Sequence, residues 1–300
     1  METSTITTTN KSIDMKFKKK SKFKDFFRKM SKSWAGLLGF CIIIFLVVLS
    51  LFGQWIVPFD PMDAPLRDRL LPPFTDGHIL GTDQLGRDIL SRIIAGTKVS
   101  LIIGLATALL AGVIGTIIGV IAGFFRGWID IVLMRIVDVQ LSFPFILLVL
   151  VISAILGAGL TNIIISLALA GWVIFARVIR SEVLALREKE FITAAIATGV
   201  PKFEILVRHI FPNIFTPIII LISLQMGTYI IAEASVSFLG FGVQPPTPAW
   251  GNMLNEGKDY IFSSWWLITF PGIAIILTTL GVNLFGDWLR DTLDPELKGE

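Results

Sequence analysis

Cysteine and histidine are nearly missing from this chain. Cys41 is the only thiol and lies inside an apolar run, which excludes an intrachain disulfide and a multi-cysteine metal site. His78 and His209 are the only imidazoles and stand far apart in sequence, so zinc chemistry has little support. Charge is scarce too: Asp, Glu, Lys and Arg make up 16% of the residues, where soluble domains average about 25%. No G-x-x-x-x-G-K-[ST] phosphate loop occurs, and the nearest Gly-Lys pair, Gly257-Lys258, is followed by Asp259. Zinc-protease and nucleophile-elbow motifs are also missing. These absences disfavour a membrane enzyme and leave the chain without a nucleotide engine of its own.

What is present is apolar sequence, 54% of 300 residues, with a mean hydropathy of +0.77. Six runs are long enough to cross a bilayer, which takes about 20 residues. They are approximately Ala35–Val57, Ser100–Phe124, Leu141–Leu160, Ile163–Leu186, Ile214–Gly240 and Trp265–Phe285. The expectation is an all-α membrane protein of six transmembrane helices. The first run is too long for a signal-peptide core and lacks a small-residue cleavage site, so it is expected to stay uncleaved. In the second, Ala111, Gly115, Gly119 and Gly123 recur every four residues. Such a stripe lets a neighbouring helix approach closely.

Lys and Arg set the expected orientation. Ten lie in residues 1–34 against three acids, two at Arg126 and Arg135, six from Arg177 to Arg208, and two at Arg290 and Lys298. The remaining six of the 26 fall in the alternate segments 58–99 and 241–264. The bias places both termini in the cytoplasm. The basic segment 1–34 directly precedes a span, which favours a topology anchor beside anionic lipid over nucleic-acid binding. Phe23, Phe26, Phe27 and Met30 fall in it at helical spacing. Two readings stay open, an interfacial amphipathic helix and a disordered basic tail.

The most informative stretch is Glu190–Asn213, EFITAAIATGVPKFEILVRHIFPN. Gly199 and Pro201 predict a short helix, a turn, and a second helix opened by proline. Ala194 and Ala195 leave the first helix bare enough for another protein to pack against it. The charge count puts this stretch on the cytoplasmic side. Polar residues within spans are the other signal: Gln225, Glu233 and Asn283, with Asp287 near the inner interface. Each either contacts solute on a translocation path or serves as a structural or subunit-interface partner.

The loop resembles the conserved loop of membrane-spanning permeases of binding-protein-dependent ABC importers, Glu-Ala-Ala, three residues, Gly, nine residues, Ile-x-Leu-Pro. Ala194, Ala195, Gly199 and Pro212 match; Thr193 stands in place of Glu, His209 of Ile and Phe211 of Leu. Four further segments resemble the second (C-type) permease of the dipeptide/oligopeptide/nickel group. They are HILGTDQLGRDILSR (78–92), GWIDIVLMRIVDVQLSFP (127–144), AEASVSFLGFGVQPPTPAWG (232–251) and NLFGDWLRDTLDP (283–295).

The resemblance implies a type I ABC importer permease fold in a bacterial or archaeal cell membrane: segment 1–34, a first helix at 35–57, an outer loop at 58–99, a five-helix core at 100–290 holding a coupling loop at 187–213, and a tail at 291–300. It further implies a homologous permease partner, with a heterodimer favoured, two ATPase subunits holding ATP and Mg, and an extracytoplasmic binding protein. No cofactor is expected on this chain. Thr193, Ala194, Ala195, Gly199, Pro201, His209, Phe211 and Pro212 would form the ATPase-coupling loop. The expected cargo is a short peptide; nickel or another small solute is the alternative, and an ion-driven secondary transporter a more distant one.

Overall fold

A helix that closes its own backbone hydrogen bonds is what apolar sequence forms in lipid. The computed structural model describes residues 28–31 and 33–293, and among them helices account for every extended element. Helix α1 is Trp34–Ile56, opened by Ser33, whose Oγ accepts the Gly36 N–H at 3.2 Å. Helix α2, Ile89–Phe125, begins eleven residues before the expected Ser100. Its N-cap is Asp88, which accepts the Ser91 N–H at 2.7 Å. Ser91, Arg92 and Lys98 diluted the apolar signal of these first turns.

The third expected span is corrected. Leu141–Leu160 is not one straight helix; α3, Gly127–Leu141, and α4, Phe145–Leu156, meet at 91°. Pro144 explains the break, because it lacks an N–H and pushes Phe143 away from helical geometry. Helix α5 is Leu160–Arg187 and α6 is Glu190–Ala197. Helix α7, Lys202–Phe238, fuses the expected fifth span with the second half of the polar loop, passing through a π turn at Leu206–Ile210. Helix α8 is Trp250–Gly257 and α9 is Trp266–Leu293. Among the described residues, five helices are long and apolar enough to cross a membrane, or six spans if the bent pair counts as one.

Helix α2 runs through the middle of the bundle. Gly115, Gly119 and Gly123 lie directly on α5: a Cβ at 115 would stand 2.3 Å from the Trp172 carbonyl oxygen, and one at 119 would stand 2.6 Å from that of Ala176. Ala111 is fully buried beside Phe175 and Ala176. The two helices therefore pack backbone against backbone. Helix α1 rests on α9, with Gly39 against the backbone of Gly281 and Phe285. Phe23, Phe26 and Phe27 lie outside the described residues, as does the tail beyond 293. Met30 is buried against Trp288 and Leu289.

The bundle has two dissimilar ends. One carries residues 57–88, α8 and the turn after α7; it is called the cap. The other carries α6 and the start of α7; it is called the knuckle.

Candidate functional site

The knuckle is anchored by one face and open on the other. Ile192 of α6 is fully buried with Ile205, Ile210, Ile214, Val183 and Phe124. Thr193, Ala194, Ile196 and Phe191 are exposed, and Ala195 is half-buried. Gly199 follows at φ +78°, in the left-handed region that glycine tolerates, and the space around its Cα is open. Pro201 then caps α7. Thr193 Oγ1 donates to the Lys189 carbonyl of its own helix at 3.2 Å, so in this chain position 193 bonds locally.

His209 and Phe211 sit at the π turn. The His209 ring lies 6.2 Å from that of Phe191, joining the start of α6 to α7. Pro212 offers no N–H to the preceding turn, and the wider turn accommodates this, with the Phe211 N–H reaching the Leu206 carbonyl. Phe211 and Pro212 are exposed.

A ladder of ion pairs braces the helices behind the knuckle, and sequence reading missed it. Arg180 grips Asp130 with two bonds, Nε to Oδ1 at 2.5 Å and Nη2 to Oδ2 at 2.6 Å. Arg177 pairs with Asp138 at 2.8 Å, and Arg126 with Glu188. Gln140 Nε2 donates to the Leu169 and Ala170 carbonyls at 2.9 and 3.0 Å. Together these strap α3 along α5. The available signal was charge at i, i+8 on α3 (Asp130, Asp138) facing Arg177 and Arg180 on α5. The Arg126 guanidinium, by hydrogen bond and charge, holds the Glu188 carboxyl below its usual range.

The cap is held by a buried network. Asp83 accepts from Arg87 Nε at 2.6 Å and from Arg92, while Glu256 of α8 accepts from Arg87 Nη2 and Arg92 Nη1, both at 2.7 Å. Two guanidiniums facing two carboxylates leave no uncompensated charge, the condition for burying ions. His78 Nδ1 and Asp88 Oδ1 lie 2.9 Å apart. Trp250 Nε1 donates to the Ile93 carbonyl and Trp266 Nε1 to that of Thr82. Gly86, at φ +88°, brings its Cα under the Pro65 carbonyl with no room for a side chain. The segment 78–92 is thus the joint between residues 57–88 and α8.

The polar residues of the spans do not converge. Glu233 is 1% exposed; its Oε1 accepts from Ser237 Oγ at 2.6 Å, and that oxygen accepts the Val243 N–H at 3.3 Å. Asn252 of α8 donates to the Val243 carbonyl. Glu233 therefore ends a chain tying α7 to α8. Gln225 lies two turns away and is half-buried, its Oε1 without a partner. Asn283 is exposed on α9 and packs against Gly227, where a Cβ would come 2.5 Å from its Oδ1. Asp287, one turn on, is exposed.

Residues 115–299 match the family described as binding-protein-dependent transport system inner membrane component. The chain belongs to this family. Residues 21–73 match the N-terminal TM domain of oligopeptide transport permease C. The glutathione transport system permease protein GsiD of Escherichia coli O6:K15:H31 (strain 536 / UPEC) is 42% identical over 275 residues, covering 92% of this chain and 91% of the relative. The proteins of the same name from Shigella boydii serotype 4 (strain Sb227) and Shigella dysenteriae serotype 1 (strain Sd197) are 42% and 41% identical over the same shares. The chain is a multi-pass ABC importer permease, a transport subunit of the dipeptide/oligopeptide/nickel type.

Proposed function

We propose that this chain forms, with a homologous permease, the path by which short peptides enter the cell. The knuckle faces the cytoplasm, both termini lie on that side, and the bent α3–α4 pair makes up the sixth span. Two partner ATPases bind ATP and Mg and supply the energy; this chain binds neither. An extracytoplasmic binding protein delivers cargo at the cap. The relatives' names refer to glutathione, itself a small peptide, which supports peptide-class cargo over nickel.

The carrying observation is α6. Its buried Ile192 fixes the helix to the bundle, while exposed Ala194 offers a partner close approach without long side chains to displace. Motion delivered there has a rigid route across the bundle. Helix α7 starts at the knuckle and runs 37 residues, roughly 55 Å at 1.5 Å per residue. It ends in the Glu233–Ser237–Val243–Asn252 chain of the cap. Gln225 and Asn283 are the path or interface residues, and Glu233 is a structural joint. Residues 187–213 act as the coupling unit.

Uptake by proteoliposomes holding the complete importer tests this reading. Transport of short peptides should require ATP, persist when ionophores collapse all ion gradients, and fail with Ala194→Arg. Uptake that follows an ion gradient without ATP would refute it.

A further inference from the structure

A cavity of about 420 Å³ opens where α1, the cap loop and α2 meet, within the roughly 300–1,000 Å³ range of small-molecule sites. Ser50, Gln54, Asp60 and Lys98 contribute its polar lining, and Gly53 and Ile94 its apolar lining. Helices α1 and α2 touch there, since a Cβ on Gly53 would come 2.7 Å from Ile94 Cγ2.

That contact sets the depth of Lys98. The two helices run antiparallel, so Lys98 lies one turn from Ile94 toward the membrane centre, about 6 Å. Helix α1 continues only to Ile56 beyond Gly53. Phe52 and Trp55, beside Gly53, are exposed, 48% and 72%, as in the aromatic belt of a membrane interface. The Lys98 backbone therefore lies about one turn inside that belt, and its long side chain reaches back to the boundary between headgroups and acyl chains. It forms no ion pair with any described carboxylate. An ammonium at this depth is costly without a counter-anion.

Asp60 lines the same cavity but does not pair with Lys98. Its Oδ1 accepts the Met62 N–H at 2.9 Å. Its Oδ2 has no protein partner among the described residues. One cavity thus offers a separate cation and a separate anion, with the Ser50 hydroxyl and Gln54 amide on one face of α1. That pattern complements a zwitterion at the membrane surface.

We propose that this cavity binds the headgroup of an aminophospholipid, with Lys98 at the phosphate and Asp60 at the primary ammonium. The lipid comes from the leaflet at the cap end, and its acyl chains run along the exposed apolar face of α1. The proposal rests on membrane placement alone and is independent of the coupling reading.

The test uses the full chain in nanodiscs of equal parts phosphatidylethanolamine, phosphatidylcholine and phosphatidylglycerol, followed by native mass spectrometry during stepwise delipidation. The wild type should retain phosphatidylethanolamine over the other two. Lys98→Gln should lower retention on the order of tenfold, the loss expected for a charge-assisted bond, while Lys98→Arg keeps it. Asp60→Asn should bring the ethanolamine-to-choline ratio toward one without abolishing retention. Equal retention of all three lipids by the wild type, wild-type retention by Lys98→Gln, or loss in Lys98→Arg would each overturn the assignment. Displacement by millimolar soluble phosphoethanolamine would show a headgroup site that does not need lipid, and would also overturn it.

Discussion

Alanine substituted at Gly115 and at Gly112 should have opposite effects, although both lie on α2 one turn apart. At Gly115 the new Cβ would stand 2.3 Å from the Trp172 oxygen, 2.5 Å from Phe175 Cβ and 2.8 Å from the Ala176 nitrogen. Two of these three obstacles are backbone, so α2 and α5 must separate along a shared surface. Overpacking of this kind costs about 1–3 kcal/mol, offset by about 1 kcal/mol of helix propensity gained over glycine. Because two of the obstacles are backbone, the upper part of that range applies, and the net expectation is a loss of up to about 2 kcal/mol. At Gly112 the Cβ would meet only side-chain carbons, Phe175 Cε1 at 3.3 Å and Ile222 Cγ1 at 3.4 Å. Those ends can yield, so Gly112→Ala should be neutral or stabilising by up to about 1 kcal/mol. Reversible unfolding of the purified chain in mixed micelles, titrated with SDS and followed by tryptophan fluorescence, measures both. Equal stabilities for the two variants would refute the close-packed crossing.

Gly199→Val places a β-branched residue at φ +78°, a strain of about 1–2 kcal/mol. It should insert normally yet couple poorly, while Gly199→Asn retains more ATPase stimulation in the assembled importer. Glu256→Gln leaves Arg87 and Arg92 sharing Asp83; breaking such a buried pair costs about 3–5 kcal/mol, and faster amide exchange confined to the cap and α8 should report it. The Glu188 carboxyl is held below its ordinary range by Arg126, so its contribution is complete above that range. It is lost as pH falls through the depressed value, and exchange at the α2–α3 junction should rise in acid but not between pH 6 and 8.

The apolar runs made the helices legible, and the four-residue stripe pointed to a close crossing on α2 without revealing α5 as its partner. Two features escaped for physical reasons. The first turns of α2 bury Arg92 inside an ionic network, so their hydropathy resembles a loop although their environment is interior. That network joins Arg87 to Glu256 across 169 positions, a pairing that no local pattern encodes. The elbow at Ser142–Pro144 left one sequence mark, the proline, inside an otherwise continuous apolar run. The knuckle was the reverse case: a glycine, a proline and two alanines at fixed spacing carried its local shape, because turn chemistry is local. Thr193 shows where motif matching stops, since its hydroxyl bonds within α6 where a carboxylate would reach outward.

Co-purification tests the coupling claim most directly. The full chain, expressed with its partner permease and tagged at its own N-terminus, should retain both ATPase subunits through affinity and size-exclusion steps. Ala194→Trp should lose the ATPases while keeping the permease partner and the unfolding midpoint of the wild type. ATPase retention unchanged by tryptophan at this exposed position would contradict the account, because a partner seated closely on α6 has no room for an indole.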